Sequence, residues 1–163
     1  MALIILGVVP GTVITGYGII KKNENNLTTL DYGCIRPPIK KELRDRYWII
    51  FQALEQLIKK YKPDAICVET QFVKKNVQVA MKLGMARAIV LLLSAKYGIP
   101  LFEYAPKKAK LAVVGKGSAS KAQVQHMTKV VLGLSEIPEP EDAADALSIA
   151  ICHANRENLC MSS

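Results

Sequence analysis

The residues best suited to chemistry are three carboxylates. Glu69 closes the apolar run AICVE at 65–69, where a carboxylate is costly to bury unless it is paired or binds a cation. Asp142 and Asp145 are three positions apart in EDAADALSIA, so a helix through them projects both from one face within a turn. Ala143, Ala144 and Ala146 let that helix lie close to a sheet. Acids in a first helical turn also cap the helix and suit its dipole, which by itself accounts for the pair. Glu69 shifts the balance. Three carboxylates from a strand end and a helix start, beside a basic surface, are donors suited to Mg2+ in phosphodiester chemistry.

Other chemistries are poorly supplied. Cys34, Cys67, Cys152 and Cys160 are scattered, with no C-x-x-C pair and no histidine at ligand spacing, which disfavours structural zinc and a disulfide framework. A reducing cytoplasm is the expected compartment. His126 and His153 are the two histidines, and neither has a partner at catalytic spacing, so a packed or hydrogen-bonded role is expected of each. The nearness of His126 to Lys121 in sequence leaves assistance at a phosphate open. Gly115-Lys116 does not open a Walker A loop, because Lys110 stands where the first glycine belongs and Gly117 replaces Ser/Thr.

The elements that must hold these residues are legible in the hydropathy pattern. Three strands are expected over 3–9, 15–22 and 27–36, the last two joined by Asn23-Glu24-Asn25-Asn26. A helix follows over 40–62, with Leu43, Tyr47, Ile50, Leu54, Leu57 and Ile58 on one face. Next come a short buried strand at 64–69, a second helix at 76–97, a strand at 100–104, a helical turn from Pro106, and helices over 121–132 and from about Asp142. A strand–turn–strand beginning excludes a Rossmann start, where a glycine-rich turn feeds a helix. The helix at 76–97 is apolar around most of its circumference and carries the small residues Gly84, Ala86 and Ala88. It is either a core helix covered within one domain or half of a subunit interface.

The chain has 163 residues, half of them hydrophobic and 22% charged, which suits one compact domain, here 1–158 with a short tail at 159–163. The apolar run Ala88 to Ala95 falls well short of the roughly 18 residues of a membrane span, so no membrane partner is expected. Lys plus Arg outnumber Asp plus Glu by 22 to 14, for a net charge of +8. The excess is concentrated: from Thr70 to Ser135 eleven basic residues face one acid, Glu103. A solvated surface needs no such bias, and a nucleic-acid backbone is the partner it fits.

Several blocks, in order along the chain, resemble one family. GVVPGTVITGYGII, CVETQF, KNVQVAMKLGMARA, PLFEYAPKKAK, VVGKGSASKAQVQHM and EDAADALSIAICH are similar to the RuvC-type Holliday-junction resolvases over about residues 3–155. The resemblance implies an α/β RNase H-like fold, with a five-stranded mixed sheet flanked by helices. It implies a homodimeric endonuclease that nicks four-way DNA junctions symmetrically, alongside a branch-migration motor, in recombination and repair. Glu69, Asp142 and Asp145 correspond to metal-binding carboxylates for two Mg2+ per site, with Mn2+ as a substitute. Phe72 falls in the loop that enters the junction, Lys74 and Lys75 follow it as DNA contacts, and Lys110 and Lys121 fall where the family places lysines near the scissile phosphate.

One departure bears on activity. The family's first strand ends Gly-(Ile/Val)-Asp-Pro-Gly, and here the segment reads Gly7-Val8-Val9-Pro10-Gly11. Val9 stands at the aspartate's position and supplies no metal ligand, while suiting a strand well. The expectation is a chain that folds, dimerises and binds junctions but cleaves them poorly. The competing readings are a non-catalytic junction-binding protein and an RNA-processing nuclease of the same fold. Val13 stands where relatives often carry a basic residue, and its effect on DNA contact is left open.

Overall fold

The computed structural model describes residues 2–70 and 75–161, with side chains through 157. The apolar run Ala2–Val9 forms β1, and the hairpin built from Thr15–Asn23 (β2) and Asn26–Ile35 (β3) follows it antiparallel. After Pro37-Pro38 the chain enters α1, Leu43–Tyr61, which buries Ile50, Leu54 and Ile58 from the predicted face. Ala65–Glu69 (β4) and Leu101–Tyr104 (β5) add parallel strands on the other side of β1, linked by α2, Val77–Tyr97. The strand order is β3-β2-β1-β4-β5, the mixed five-stranded sheet expected. Three helices complete the chain: α3 (Pro106–Val114), α4 (Lys121–Leu132) and α5 (Glu141–Met161). The last extends to Met161, into the segment 159–163 expected as a tail. The helical turn expected from Pro106 is a nine-residue helix.

Two cores lie on opposite faces of the sheet. Leu6, Val8, Ile19, Ile66 and Val68 meet α1 and α2 on one face. Ile5, Val9, Ile20 and Cys67 meet α3 and α5 on the other. This is the period-2 alternation of β-strands, each residue and its neighbour serving opposite layers. Helix α5 sits very low on its face because the strands beneath it carry glycines. A Cβ on Gly16 would meet the Asp142 backbone and come within 2.8 Å of the Asp142 Cβ, and one on Gly7 would collide with the Ala146 carbonyl. Those glycines set how closely Asp142 and Asp145 approach the strand ends.

Helix α2 is covered on one side alone. Ala86, Ile89, Val90 and Leu93 are buried, whereas Val77, Met81, Met85 and Leu92 remain 75%, 58%, 44% and 63% exposed. The whole helix, 21 residues, is long and apolar enough to cross a membrane by length and composition, which differs from the short apolar run read in the sequence. Its contacts argue for a packed helix: Arg87 pairs with Glu103, Tyr47 donates to the Lys82 carbonyl at 2.9 Å, and Lys96 pairs with Glu55 at 2.7 Å.

Candidate active site

Strands β1 and β4 are parallel, with Val8 opposite Val68, so Val9 and Glu69 end side by side. C-terminal ends of parallel strands are where α/β sheets build their sites. Both residues face the α5 layer. There a cavity of about 170 Å3 is lined by Val9, Glu69, Lys110, Lys121, Asp145 and Ser148, among others. The sequence assigned five of these six a position that mattered. Ser148 it did not single out; one turn beyond Asp145, its hydroxyl donates to the Asp145 carbonyl at 2.6 Å.

Each side chain is held by a local signal. Pro106 at the start of α3 suits a helix N-terminus and sets the helix that brings Lys110 to the cavity. Lys121 is the first residue of α4, fixed by a capping box in which Gln123 N–H donates to Ser120 Oγ at 3.2 Å and Ser120 N–H donates to Gln123 Oε1 at 2.8 Å. Lys121 Nζ lies 3.1 Å from Glu141 Oε2, at the first residue of α5.

The electrostatics are mixed. Burial pushes the Asp145 carboxyl up to about 6, the Lys121 and Lys110 ammonium groups oppose the rise, and the carboxylates of Asp142 and Glu141 add to it. Glu69 is 8% exposed. The cavity therefore gathers two carboxylates, two ammonium groups and, beside Glu69, the isopropyl group of Val9.

Asp142 opens α5 next to this group, and its charge acts on both Asp145 and Lys121. Its backbone rests on Gly16, and its charge acts on Cys34, whose thiol is raised first by burial and then by that carboxylate. It does not line the cavity shared by Glu69 and Asp145. Among the described residues no three His, Cys, Asp or Glu side chains stand close enough to hold a metal ion. Lys75 is exposed just ahead of α2, away from the cavity lining. Phe72 and Lys74 lie outside the described residues.

The histidines divide. His126 is exposed and does not line the cavity, which excludes the packed one of the two roles expected of it. His153 is buried, with Nδ1 2.7 Å from the Tyr104 hydroxyl and its ring 4.3 Å from that of Phe102. Burial lowers its pKa. Tyr104 lies opposite Glu69 in the β4–β5 register, and Thr70 N–H donates to the Tyr104 carbonyl at 2.9 Å. His153 thus ties α5 to the strand that flanks Glu69. No sequence spacing relates residues 104 and 153, so this link was not readable in advance.

A 3-2-1-4-5 mixed sheet, with an acid ending β4 and acids opening the helix laid across it, defines an α/β protein of the RNase H-like class. The family model for crossover junction endodeoxyribonuclease RuvC matches residues 5–153, and the chain belongs to that family. A curated relative of that name from Protochlamydia amoebophila is 59% identical over 152 residues, covering 93% of this chain and 90% of the relative. Another, from Ruminiclostridium cellulolyticum, is 45% identical over 157 residues, covering 96% and 95%. Among solved structures, Thermus thermophilus RuvC in complex with a Holliday-junction substrate matches with a TM-score of 0.90 at 30% identity, covering 97% of this chain and 96% of the other. The yeast mitochondrial Holliday junction resolvase Ydc2 shares the fold, with a TM-score of 0.63 at 17% identity and coverage of 97% and 83%.

Proposed function

We propose that this chain binds four-way DNA junctions as a homodimer and that Val9 impairs its strand cleavage. The observation carrying this reading is the cavity wall itself: a side chain without a donor atom stands beside Glu69 at the end of β1, facing Asp145.

Two Mg2+ ions in a nuclease site need several carboxylates, at least one shared between the ions. Val9 offers none, and no three ligating side chains come together among the described residues. The residues therefore do not fit two ions. What they do fit is phosphate binding: Lys110 and Lys121 reach the cavity from two helices.

The uncovered face of α2 supports the dimer. Val77, Met81, Met85 and Leu92, with Trp48 of α1 at 56% exposure, leave more large apolar side chain in water than a monomeric surface needs. A second copy using the same face would bury it isologously and give two symmetric DNA-binding sites. Action in the cytoplasm, with a branch-migration motor as partner, completes the reading.

The test is a competition experiment. A labelled four-way junction is bound in EDTA and challenged with unlabelled junction, duplex DNA of equal length and structured RNA. The proposal expects the junction to compete at least about tenfold better than duplex, a margin of about 1.4 kcal/mol. Equal competition by duplex would contradict it, and preference for RNA would favour the RNA-processing reading.

A further inference from the structure

Glu141 is an acid paired with one of the two lysines that line a cavity read as phosphate-binding. Its carboxylate lies 3.1 Å from Lys121 Nζ, and both side chains are more than half exposed, at 52% and 66%. It also lines a second, open cleft of about 550 Å3 with Arg36, Gln125, Glu139 and Pro140, so it stands between that cleft and the acid cavity.

The two ends of this ion pair are placed differently with respect to their helices. Glu141 opens α5, where the dipole favours an anion. Lys121 opens α4, where the dipole disfavours a cation. Helix stability thus explains the acid but not the base. Lys121 at an N-terminus gains from an anion placed before it, and in the free protein that anion is the Glu141 carboxylate. A DNA phosphate would be attracted by the same lysine and the same helix end. An exposed pair in water is weak and readily exchanged.

We propose that Glu141 acts as an internal competitor for DNA, holding Lys121 in the free protein and surrendering it to a backbone phosphate on binding. This rests on the reading of the chain as a DNA-binding protein and adds a residue that sets its affinity.

The test is a double-mutant cycle on DNA affinity, measured by fluorescence anisotropy at fixed salt with the full chain. Glu141→Gln is expected to tighten junction binding about two- to fivefold, the range of an exposed ion pair. In a Lys121→Met background the same substitution should change affinity by less than about 1.5-fold. Glu139→Gln removes equal charge from the neighbouring cleft without touching that pair, and should tighten binding less than Glu141→Gln. An equal gain with and without Lys121 would overturn the proposal in favour of general repulsion. No gain, or a loss confined to thermal stability, would overturn it in favour of helix capping. If the parent chain shows no preference for junction over duplex, the functional reading fails, yet the cycle run on duplex still decides the role of Glu141.

Discussion

Gly16→Ala places a methyl group where α5 meets the sheet. The new Cβ would approach the Asp142 Cβ to 2.8 Å and the Asp142 carbonyl group more closely, against an ordinary contact of 3.4–4 Å. Relief requires moving helix backbone by more than half an ångström, because none of the colliding atoms is the free end of a side chain. Overpacking of this kind costs about 1–3 kcal/mol, and the strand interior returns about 0.5–1 kcal/mol through the lost flexibility of glycine. A net loss of roughly 1–2 kcal/mol lowers the melting temperature of a chain this size by about 2–8 °C. Gly33→Ala is the internal control. It meets the Tyr17 hydroxyl at 2.9 Å and ring atoms at 3.1 and 3.2 Å, the end of a side chain that can swing aside, so it should move the melting temperature by less than about 2 °C. Both variants are followed by thermal circular dichroism at equal concentration. Equal melting temperatures for Gly16→Ala and the parent would refute the argument that glycine clearance sets the seat of α5 and hence of Asp142.

Other expectations follow from the exposed helix and the buried histidine. Leu92→Glu puts a carboxylate on the uncovered face of α2; analytical ultracentrifugation should show the parent as a dimer and the variant dissociating about 100-fold more readily. His153 is held neutral by burial, with a folded pKa below the ordinary 6.5. The unfolded chain therefore binds this proton more readily, and the stabilisation is complete above 6.5 and lost as pH falls through 6.5 toward the folded value. Urea midpoints between pH 7.5 and 5 should decline more steeply for the parent than for His153→Asn.

The strands and helices were readable because each core face follows a simple period. Ile50, Leu54 and Ile58 lie buried on the predicted side of α1, and alternate residues of β1 and β4 feed opposite cores. Glu69, Asp145, Lys110 and Lys121 were legible because each breaks its local pattern or falls in a family motif, and the structure brings all four to one cavity. Asp142 was expected on one helix face with Asp145, and its charge acts on Asp145, on Lys121 and on Cys34. The two sides of α2 were opaque: an all-round apolar helix has no moment to orient it, and packing alone decides that Leu93 is buried while Leu92 is exposed. The Glu141–Lys121 pair has no sequence signature, because tertiary structure alone brings the two residues together.

The central claim is that the residue at position 9 governs cleavage. Val9→Asp restores a carboxylate beside Glu69, and its nicking of a synthetic four-way junction with Mg2+ can be compared with that of the parent at matched junction occupancy. The account predicts a parent at least about 100-fold slower than the variant, for want of one ligand to catalytic metal. A parent that already nicks at the variant's rate would contradict it.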